Sequence, residues 1–270
     1  MTYTVLFYNA RWWVQCDGQL LGGYSANALR SYVFPLYTPQ GALVLQECPP
    51  DHPHHQGLFV GLEVDGHDLW AAGSEGRARH RQEIVPALGE LTPVVTVDGV
   101  LFAHETRWTS VDGVELLHEQ RQVHFRQTAH YTEVSWRSRF APPTPIARAR
   151  LGQTKESGIG LRVPPHWETV FGGCIRNAAG DEGEAACFDQ MSPWLNIEGA
   201  IGQGGVAGLI FAPQSEPCPW FTRDYGLHVY NPARHRPFTI TPGETLTWAV
   251  RVLAYDGSRT RAQIDDLVGK

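Results

Sequence analysis

The sequence predicts an all-β protein: a large antiparallel β-sandwich with a short C-terminal helix. Three observations favour this class: apolar and polar residues alternate along many short segments, glycine and proline turns separate them, and aromatic residues are plentiful. Alternation with a period of two is typical of strands that bury one face. A chain of 270 residues with 42% hydrophobic content is long enough for one large core. We therefore expect a single domain over residues 1–270.

The strand pattern is clearest in seven segments, each of which ends at a turn. These segments are TYTVLF, GALVLQ, PVVTVDG, YTEVSWRSRF, GVAGLIFAP, GLHVYNP and ETLTWAVRVLAYDG. The tail SRTRAQIDDLVGK is the convincing helix, with Ser258 as its N-cap and with Ile264 and Leu267 on one face. The proline-rich segment FAPPTPIARARLG is short, and we interpret it as a loop within the domain rather than as a linker.

Charge and cysteine content argue against several classes of function. The formal net charge is −6 and Lys and Arg do not cluster, so neither a nucleic-acid partner nor an anionic membrane surface is expected. The N-terminus lacks signal-peptide features and no apolar run reaches membrane-spanning length, which predicts a cytoplasmic protein. The phosphate-binding loop, GxGxxG after a strand and GxSxG are missing, and no cofactor is predicted. Buried free thiols, rather than a disulfide framework or a zinc cage, are expected for Cys16, Cys48, Cys174, Cys187 and Cys218.

The segment CPPDHPHHQGLF places Asp51, His52, His54 and His55 between prolines and an apolar run. If the segment is extended, His52 and His54 share one side and His55 points to the other. Two histidines at this spacing can chelate a metal with a third ligand from elsewhere, or can donate and accept protons because imidazole titrates near neutrality. A polar turn whose rings bond to backbone carbonyls is the alternative without a functional role.

The segment GQTKESGIGLRV places Lys155 and Glu156 beside glycines, just before a predicted strand that ends near Arg162. Glycine lets the backbone approach a ligand closely. A Lys-Glu pair at such a position can bind a sugar hydroxyl or an oxyanion, and a solvated turn is the alternative interpretation.

Two further segments carry polar residues on predicted strands. ELLHEQRQVHFRQ has polar groups on both faces, with Glu119 and Arg121 on the same one, so it lies either at a sheet edge or in a wet cleft. PWFTRDYGLHVYNP mixes Arg223, Tyr225 and Asn231 with other aromatic residues. Aromatic faces beside Arg, Asp and Asn are typical of sugar binding. A strand with its corner loop would explain the same pattern.

Several segments together resemble one family, over about Arg30 to Gly257. They are SYVFPLYTPQGALVLQECPPDHPHHQGLFVGLEVDGHDLW, LLHEQRQ, GQTKESGIGLRV, GGCIRNAAG and TRDYGLHVYNP. The family consists of uncharacterised bacterial proteins that often carry the label methane oxygenase PmoA. In its pattern an arginine often follows the double histidine, where this chain has Gln56. A Trp-His pair usually precedes the RDYGL-like element, where this chain has Phe221 and Thr222, so one candidate active-site histidine is absent.

The oxygenase label does not fit the sequence, because particulate methane oxygenase is an integral membrane assembly and no segment here is long and apolar enough to span a bilayer. The resemblance instead implies a galactose-mutarotase-like β-supersandwich. Members of that group are often associated with sugar catabolism, beside oxidoreductases that make keto-sugars.

The leading hypothesis is a carbohydrate-active enzyme whose small-molecule substrate is a sugar or keto-sugar. It would perform epimerisation, or elimination and hydration next to a carbonyl. The predicted catalytic residues are His54 and His55 for proton transfer, and Lys155 and Glu156 for polarising or deprotonating the reacting centre. The predicted substrate-binding residues are Asp51, which would also orient a histidine ring, His52, Glu119, Arg121, Arg162, Arg223, Tyr225 and Asn231.

Two alternatives remain open from the sequence. In the first, His52 and His54 with a distant His or Glu hold a divalent metal that polarises a sugar carbonyl, as in a metal-dependent sugar lyase or hydratase. In the second, the protein is a non-catalytic carbohydrate-binding module, which the aromatic residues suit but which has no need of a histidine-acid cluster.

Overall fold

Strands dominate the chain, as the period-two pattern predicts. The computed structural model describes residues 1–27, 29–71 and 81–269. Its strands in chain order are β1 Tyr3–Tyr8, β2 Arg11–Cys16, β3 Gln19–Ala26, β4 Ser31–Leu36, β5 Leu58–Gly61, β6 Glu63–Val64, β7 His67–Asp68, β8 Arg81–Val85, β9 Val94–Thr96, β10 Gly99–Thr109, β11 Glu115–Gln127, β12 Thr132–Ala141, β13 Ala149–Leu151, β14 Gly158–Arg162, β15 Cys174–Asn177, β16 Leu195–Ile201, β17 Gly205–Pro213, β18 Trp220–Thr222, β19 Leu227–Tyr230, β20 Phe238–Ile240 and β21 Leu246–Asp256.

Helical structure is sparse in the described residues. The α-helices there are α1 Glu184–Cys187 and α2 Arg261–Val268, and the 3₁₀ turns are Pro165–Trp167, Thr169–Phe171 and Gly202–Gly204. None of these helices is long and apolar enough to cross a membrane.

Within the same described ranges the strands form two large sheets and one small sheet. The eight-stranded sheet has the order β1-β2-β3-β4-β5-β14-β19-β18. The nine-stranded sheet runs β15-β16-β17-β21-β12-β11-β10-β8, with β9 paired to β10, and β20-β13-β6-β7 form the small sheet. The pairings are antiparallel, for example between β10 and β11 and between β14 and β19. The predicted antiparallel β-sandwich with a C-terminal helix is confirmed.

The two large sheets pack face to face around an aromatic core. The ring centroid of Tyr24 on β3 lies 5.3 Å from that of Phe102 on β10 and 6.3 Å from that of Trp136 on β12. All three side chains are buried. Burying a large apolar side chain stabilises the fold by roughly 1.5–3 kcal/mol, so such contacts hold the two sheets together.

The C-terminal helix forms as predicted, but its N-cap is Thr260 rather than Ser258. The Gln263 N–H donates to Thr260 Oγ1 at 3.3 Å, and the Thr260 N–H donates to Gln263 Oε1 at 2.8 Å. These reciprocal bonds are a capping box. Ile264 is buried and Leu267 is partly buried against the same cluster, so the predicted apolar face is confirmed.

The predicted strand GALVLQ does not form, although its apolar residues are buried. Only an isolated bridge joins Leu43 to Tyr37 in this segment of the described chain. Val44 and Leu45 are fully buried in the core. The Val44 N–H donates to Leu36 O, and the Gln46 N–H donates to Arg162 O, so successive backbone groups bond to different partners. The alternation reflects burial of the apolar side chains and does not mean that the backbone is hydrogen-bonded within a sheet.

The outer face of the eight-stranded sheet carries a second apolar surface, which positions the candidate site. Cross-strand pairing places one row of residues on this face: Tyr32, Phe59, Gly160, Val229 and Phe221. The Trp70 ring lies over the row, because a Cβ on Gly61 would come within 2.3 Å of it and a Cβ on Gly160 within 3.1 Å. Arg162 follows Gly160 by two residues on β14 and therefore emerges on the same face.

Candidate functional site

The histidine segment forms two back-to-back turns rather than an extended strand. The His52 N–H donates to Pro49 O at 3.1 Å, and the His55 N–H donates to His52 O at 2.9 Å. Pro50 and Pro53 each occupy the second position of one turn, where the fixed φ of proline is favoured. The expectation of an extended segment with alternating faces is therefore wrong. The turn instead brings residues three apart to the same side.

Three aromatic rings stack, and a fourth packs edge-on, as a result of these turns. The rings of His52 and His55 are 4.7 Å apart and nearly parallel, with an interplanar angle of 2°. Tyr225 covers the other face of His52 at 5.2 Å and 5°. His54 packs edge-on against His55 at 4.5 Å. Since both faces of the His52 ring are covered, a ligand can approach this ring only at its edge.

Asp51 fixes the protonation of the His52 ring. Its Oδ2 lies 2.8 Å from His52 Nδ1. Burial raises the pKa of Asp51, but the hydrogen bonds and charges of His52 and Arg162 outweigh this and hold it below its usual value. An ionised carboxylate only accepts hydrogen bonds, so Nδ1 carries a proton, and in the neutral form of the ring the lone pair is on Nε2. The His52 side chain is 34% exposed, so this base is open to solvent.

His55 is a neutral ring with the opposite tautomer. Burial first, and then the neighbouring histidines and the charges of Arg162 and Arg30, lower the pKa of His55 far below its usual value. Arg162 Nη1 lies 3.5 Å from His55 Nδ1. A guanidinium can only donate, so Nδ1 accepts and Nε2 carries the proton. The stack therefore presents one basic imidazole, His52, beside one imidazole that donates a hydrogen bond, His55.

Arg162 links the stack to its carboxylates, because it contacts Asp51, Glu168 and Tyr225. Its Nη2 lies 3.1 Å from Asp51 Oδ2 and 3.3 Å from Glu168 Oε1. Its guanidinium lies 5.0 Å from the centre of the Tyr225 ring. Glu168 was not among the residues predicted for the site. Its signal in the sequence is an acid six residues after Arg162 in RVPPHWE, where two prolines turn the chain back towards that arginine.

The predicted pair Lys155 and Glu156 lies at the rim of the stack. Lys155 Nζ is 3.2 Å from Glu156 Oε1, and these side chains are 72% and 20% exposed. Burial, and then the charge of Glu156, raise the pKa of Tyr225 to about 12. Arg234 Nη1 donates to Lys155 O at 3.3 Å and its guanidinium lies 5.6 Å from the centre of the Phe221 ring, which places this turn beside the aromatic surface. Asn231 has no exposed surface, and its Nδ2 donates to Thr154 O at 3.0 Å. This bond fixes the turn that carries Lys155 and Glu156.

Arg223 extends the aromatic surface beside the stack. Its guanidinium lies 5.7 Å from the centre of the Tyr225 ring and 5.9 Å from that of Phe221, and Nη1 pairs with Glu184 at 2.9 Å. The structure thus brings together the predicted residues Asp51, His52, His54, His55, Glu156, Arg162, Tyr225 and Arg223.

Comparison with known families assigns the chain. A family model described as "Family of unknown function (DUF6807)" matches residues 11–269. The chain belongs to this family. The resemblance to an uncharacterised family is therefore confirmed for DUF6807. Comparison with curated proteins finds no match.

Solved structures similar to the DUF6807 chain are distant. A candidate aldose 1-epimerase from Escherichia coli K12 is 13% identical with a TM-score of 0.37, over 94% of this chain and 99% of that one. A galactose mutarotase related enzyme from Lactobacillus acidophilus is 11% identical with a TM-score of 0.27, over 96% and 98% of the two chains. Likeness at this level carries no inference about the activity of the DUF6807 chain.

Glu119 and Arg121 lie apart from the stack, inside the sandwich. Strand β11 pairs with β10 on one side and β12 on the other, so it is not at a sheet edge. Both side chains have 0% exposure, so this face does not line a wet cleft either. Arg121 donates to both oxygens of Glu119, each at 2.7 Å, and Trp108 Nε1 donates to the same carboxylate. A pair enclosed in this way stabilises the core and offers no group to a substrate.

The resemblance expects a histidine where this chain has Thr222. Here the Thr222 Oγ1 hydrogen-bonds to Nδ1 of His228 on the neighbouring strand at 2.6 Å. Both residues are fully buried, and burial lowers the pKa of His228 to about 3. This histidine is neutral and lies within the sandwich, as Thr222 does, so neither residue is exposed at the stack.

The described residues do not form a metal site of the kind that the second hypothesis requires. Within residues 1–27, 29–71 and 81–269, no group of three or more His, Cys, Asp or Glu side chains is arranged to hold a metal ion. His52 and His54, the two ligands of that hypothesis, pack edge-on with their ring centroids 5.7 Å apart.

Proposed function

We propose that this DUF6807 protein is a carbohydrate-active enzyme of the epimerase kind, which removes and returns a proton at a sugar carbon next to a carbonyl. The observation that supports this most strongly is the 2.8 Å bond between Asp51 and His52 Nδ1. It leaves a base with its free nitrogen at the open edge of a stack of rings. A binding module would have no need of such a pair.

In this proposal His52 Nε2 takes the proton from the sugar carbon. Asp51 then stabilises the imidazolium that forms, because a carboxylate favours the charged ring. The negative charge that develops on the substrate oxygen is stabilised by the Nε2–H of His55, with the Arg162 guanidinium behind that ring. His54, predicted as a proton-transfer residue, packs edge-on against His55 and is assigned to hold it.

Inversion at the carbon needs a second group that returns the proton from the opposite side. We assign this role to the Lys155–Glu156 pair: the Lys155 ammonium carries the proton that is returned to the carbon, and Glu156 Oε1, 3.2 Å away, holds the ammonium in place. The aromatic surface formed by Tyr225 and Phe221, with Arg223 beside it, would hold the sugar ring and its hydroxyls.

The test is exchange of a sugar C–H proton with deuterium from solvent, followed by NMR over a panel of aldoses and keto-sugars. Because a positioned base contributes about 10²–10⁴-fold in rate, the His52→Gln variant should lose exchange by that factor. His130→Gln is the matched control, since His130 is an exposed histidine in a turn away from the stack.

Two results would contradict the proposal. Unchanged exchange in His52→Gln would remove the base from the mechanism. A sugar that binds to the wild-type protein without any exchange would favour the non-catalytic binding module instead.

A further inference from the structure

Arg30 is a fully buried cation beside Phe59 and Trp70, on the apolar outer surface of the eight-stranded sheet. It has 0% exposure. Its Nη2 donates to the backbone oxygen of Trp70, and its guanidinium lies 4.8 Å from the centre of the Phe59 ring. Its Nε and Nη1 are buried, and among the described residues they have no hydrogen-bond partner; the same holds for Trp70 Nε1. Three buried nitrogen donors without acceptors therefore lie in one contiguous group.

The other arginines around the site differ from Arg30 in that each pairs with a carboxylate. These pairs are Arg162 with Asp51 and Glu168, Arg223 with Glu184, and Arg234 with Asp189. Burial lowers the pKa of Arg30 to about 9, with Asp68 opposing and Arg121 adding to the shift. A buried cation is costly unless it is paired and hydrogen-bonded, so this position is suited to an anionic partner.

The unpartnered donors lie next to the proposed catalytic rings. The ring of Trp70 and the ring of Phe59 are each 6.0 Å from that of His55, and His55 stacks on His52 at 4.7 Å. The donors are thus on one side of His55 and the proposed base on the other.

We propose that Arg30 and Trp70 form a subsite for a carboxylate of the substrate, so that the sugar is a sugar acid. This inference rests on the proposed function. The Nε and Nη1 of Arg30 and the indole N–H of Trp70 would donate to the two carboxylate oxygens, and the charges would balance one to one. A phosphate group offers the same acceptors. With two negative charges and three free oxygens, however, it would need more donors than this group supplies.

Binding affinity tests the inference independently of turnover. Calorimetry with the wild-type protein would compare glucuronate and galacturonate with glucose and galactose, which differ from them at the carboxylate. Hydrogen bonds to a charged group correspond to a difference of roughly 10- to 100-fold in dissociation constant, in favour of the acids. Arg30→Met should abolish this preference for the acids. Arg107→Met is the control, because Arg107 is 40% exposed on the nine-stranded sheet.

The outcomes separate this inference from the proposed function. Equal affinity for acids and neutral sugars in the wild-type protein, which does not depend on any variant folding, overturns it. A preference that survives in Arg30→Met also overturns it. Inorganic phosphate that displaces glucuronate and binds at least as tightly would overturn the assignment to a carboxylate, whereas phosphate that fails to displace it supports the assignment. Proton exchange on neutral sugars without a preference for acids would contradict this inference alone.

Discussion

Replacing Glu119 by glutamine should destabilise the protein without altering sugar binding. Glu119 accepts hydrogen bonds from Arg121, from Trp108 Nε1 at 2.8 Å and from Ser138. Glutamine has nearly the same shape, but it has no charge and turns an amide NH₂ towards donors. Arg121 would then be a cation with 0% exposure and no carboxylate partner.

The size of the effect follows from this enclosure. Breaking a buried ion pair by removing one partner costs about 3–5 kcal/mol, since the remaining charge cannot reach water. Whole domains are stable by about 5–15 kcal/mol, so a loss of this size is a large share of the total. With a urea m-value of about 3 kcal/mol/M, the unfolding midpoint should fall by about 1 M or more.

Urea unfolding followed by tryptophan fluorescence would measure this shift. Glu105→Gln is the control, because Glu105 is an exposed residue of β10 paired directly with β11, and its effect should stay within about 0.5 kcal/mol. A Glu119→Gln variant of wild-type stability that loses sugar affinity would refute the reasoning and support the original prediction that Glu119 fixes a hydroxyl.

Three further predictions concern the core, the site surface and the helix. Burial lowers the pKa of His104 to about 4, below its unfolded value of about 6.5, so the unfolded chain gains the proton first. The free energy of unfolding should therefore fall as pH drops from about 6.5 to 4, by up to ~1.4 kcal/mol per pH unit for this group. A His104→Gln variant whose unfolding free energy depends on pH with the same slope would contradict this. Gly61→Ala should displace Trp70, whose ring lies 2.3 Å from the new Cβ, and change its near-UV circular dichroism; an unchanged spectrum would show that the ring is not held there. Thr260→Ala should cost about 1 kcal/mol in urea unfolding by removing the bond to Gln263, whereas no change would mean that the capping box adds nothing.

Local periodicity explains how much of the fold was predictable. Strands β12, β17 and β21 were predicted because alternation and turns are properties of the chain itself. GALVLQ was wrongly predicted as a strand because the same alternation arises in a buried segment whose backbone bonds to scattered partners. Polar groups on both faces of β11 predicted either a sheet edge or a wet cleft. Instead, Glu119 and Arg121 pair with each other inside the core.

The candidate site was predictable in its residue types and not in its geometry. Asp51, His52 and Arg162 were all named from the sequence, yet which histidine meets the aspartate depends on two consecutive turns. Arg30 gave no comparable signal, because its contact with Trp70 joins distant parts of the chain, whereas Glu168 follows its partner Arg162 by only six residues. Long-range packing decides such contacts, and no local pattern records it.

The two proline turns around His52 limit which parts of the site can change when residues are substituted. Gly57 closes the segment with φ +62°, and a Cβ there would meet Val33 O at 2.0 Å, so this backbone leaves little room for alternatives. The rings are therefore set by folding, before any ligand arrives, and binding spends little entropy on ordering them. Residues 154–157 and Arg223 are instead carried on a separate turn and on another strand end. On the proposed function, substitutions of Arg223 would change the choice of sugar while the Asp51–His52 pair stays in place.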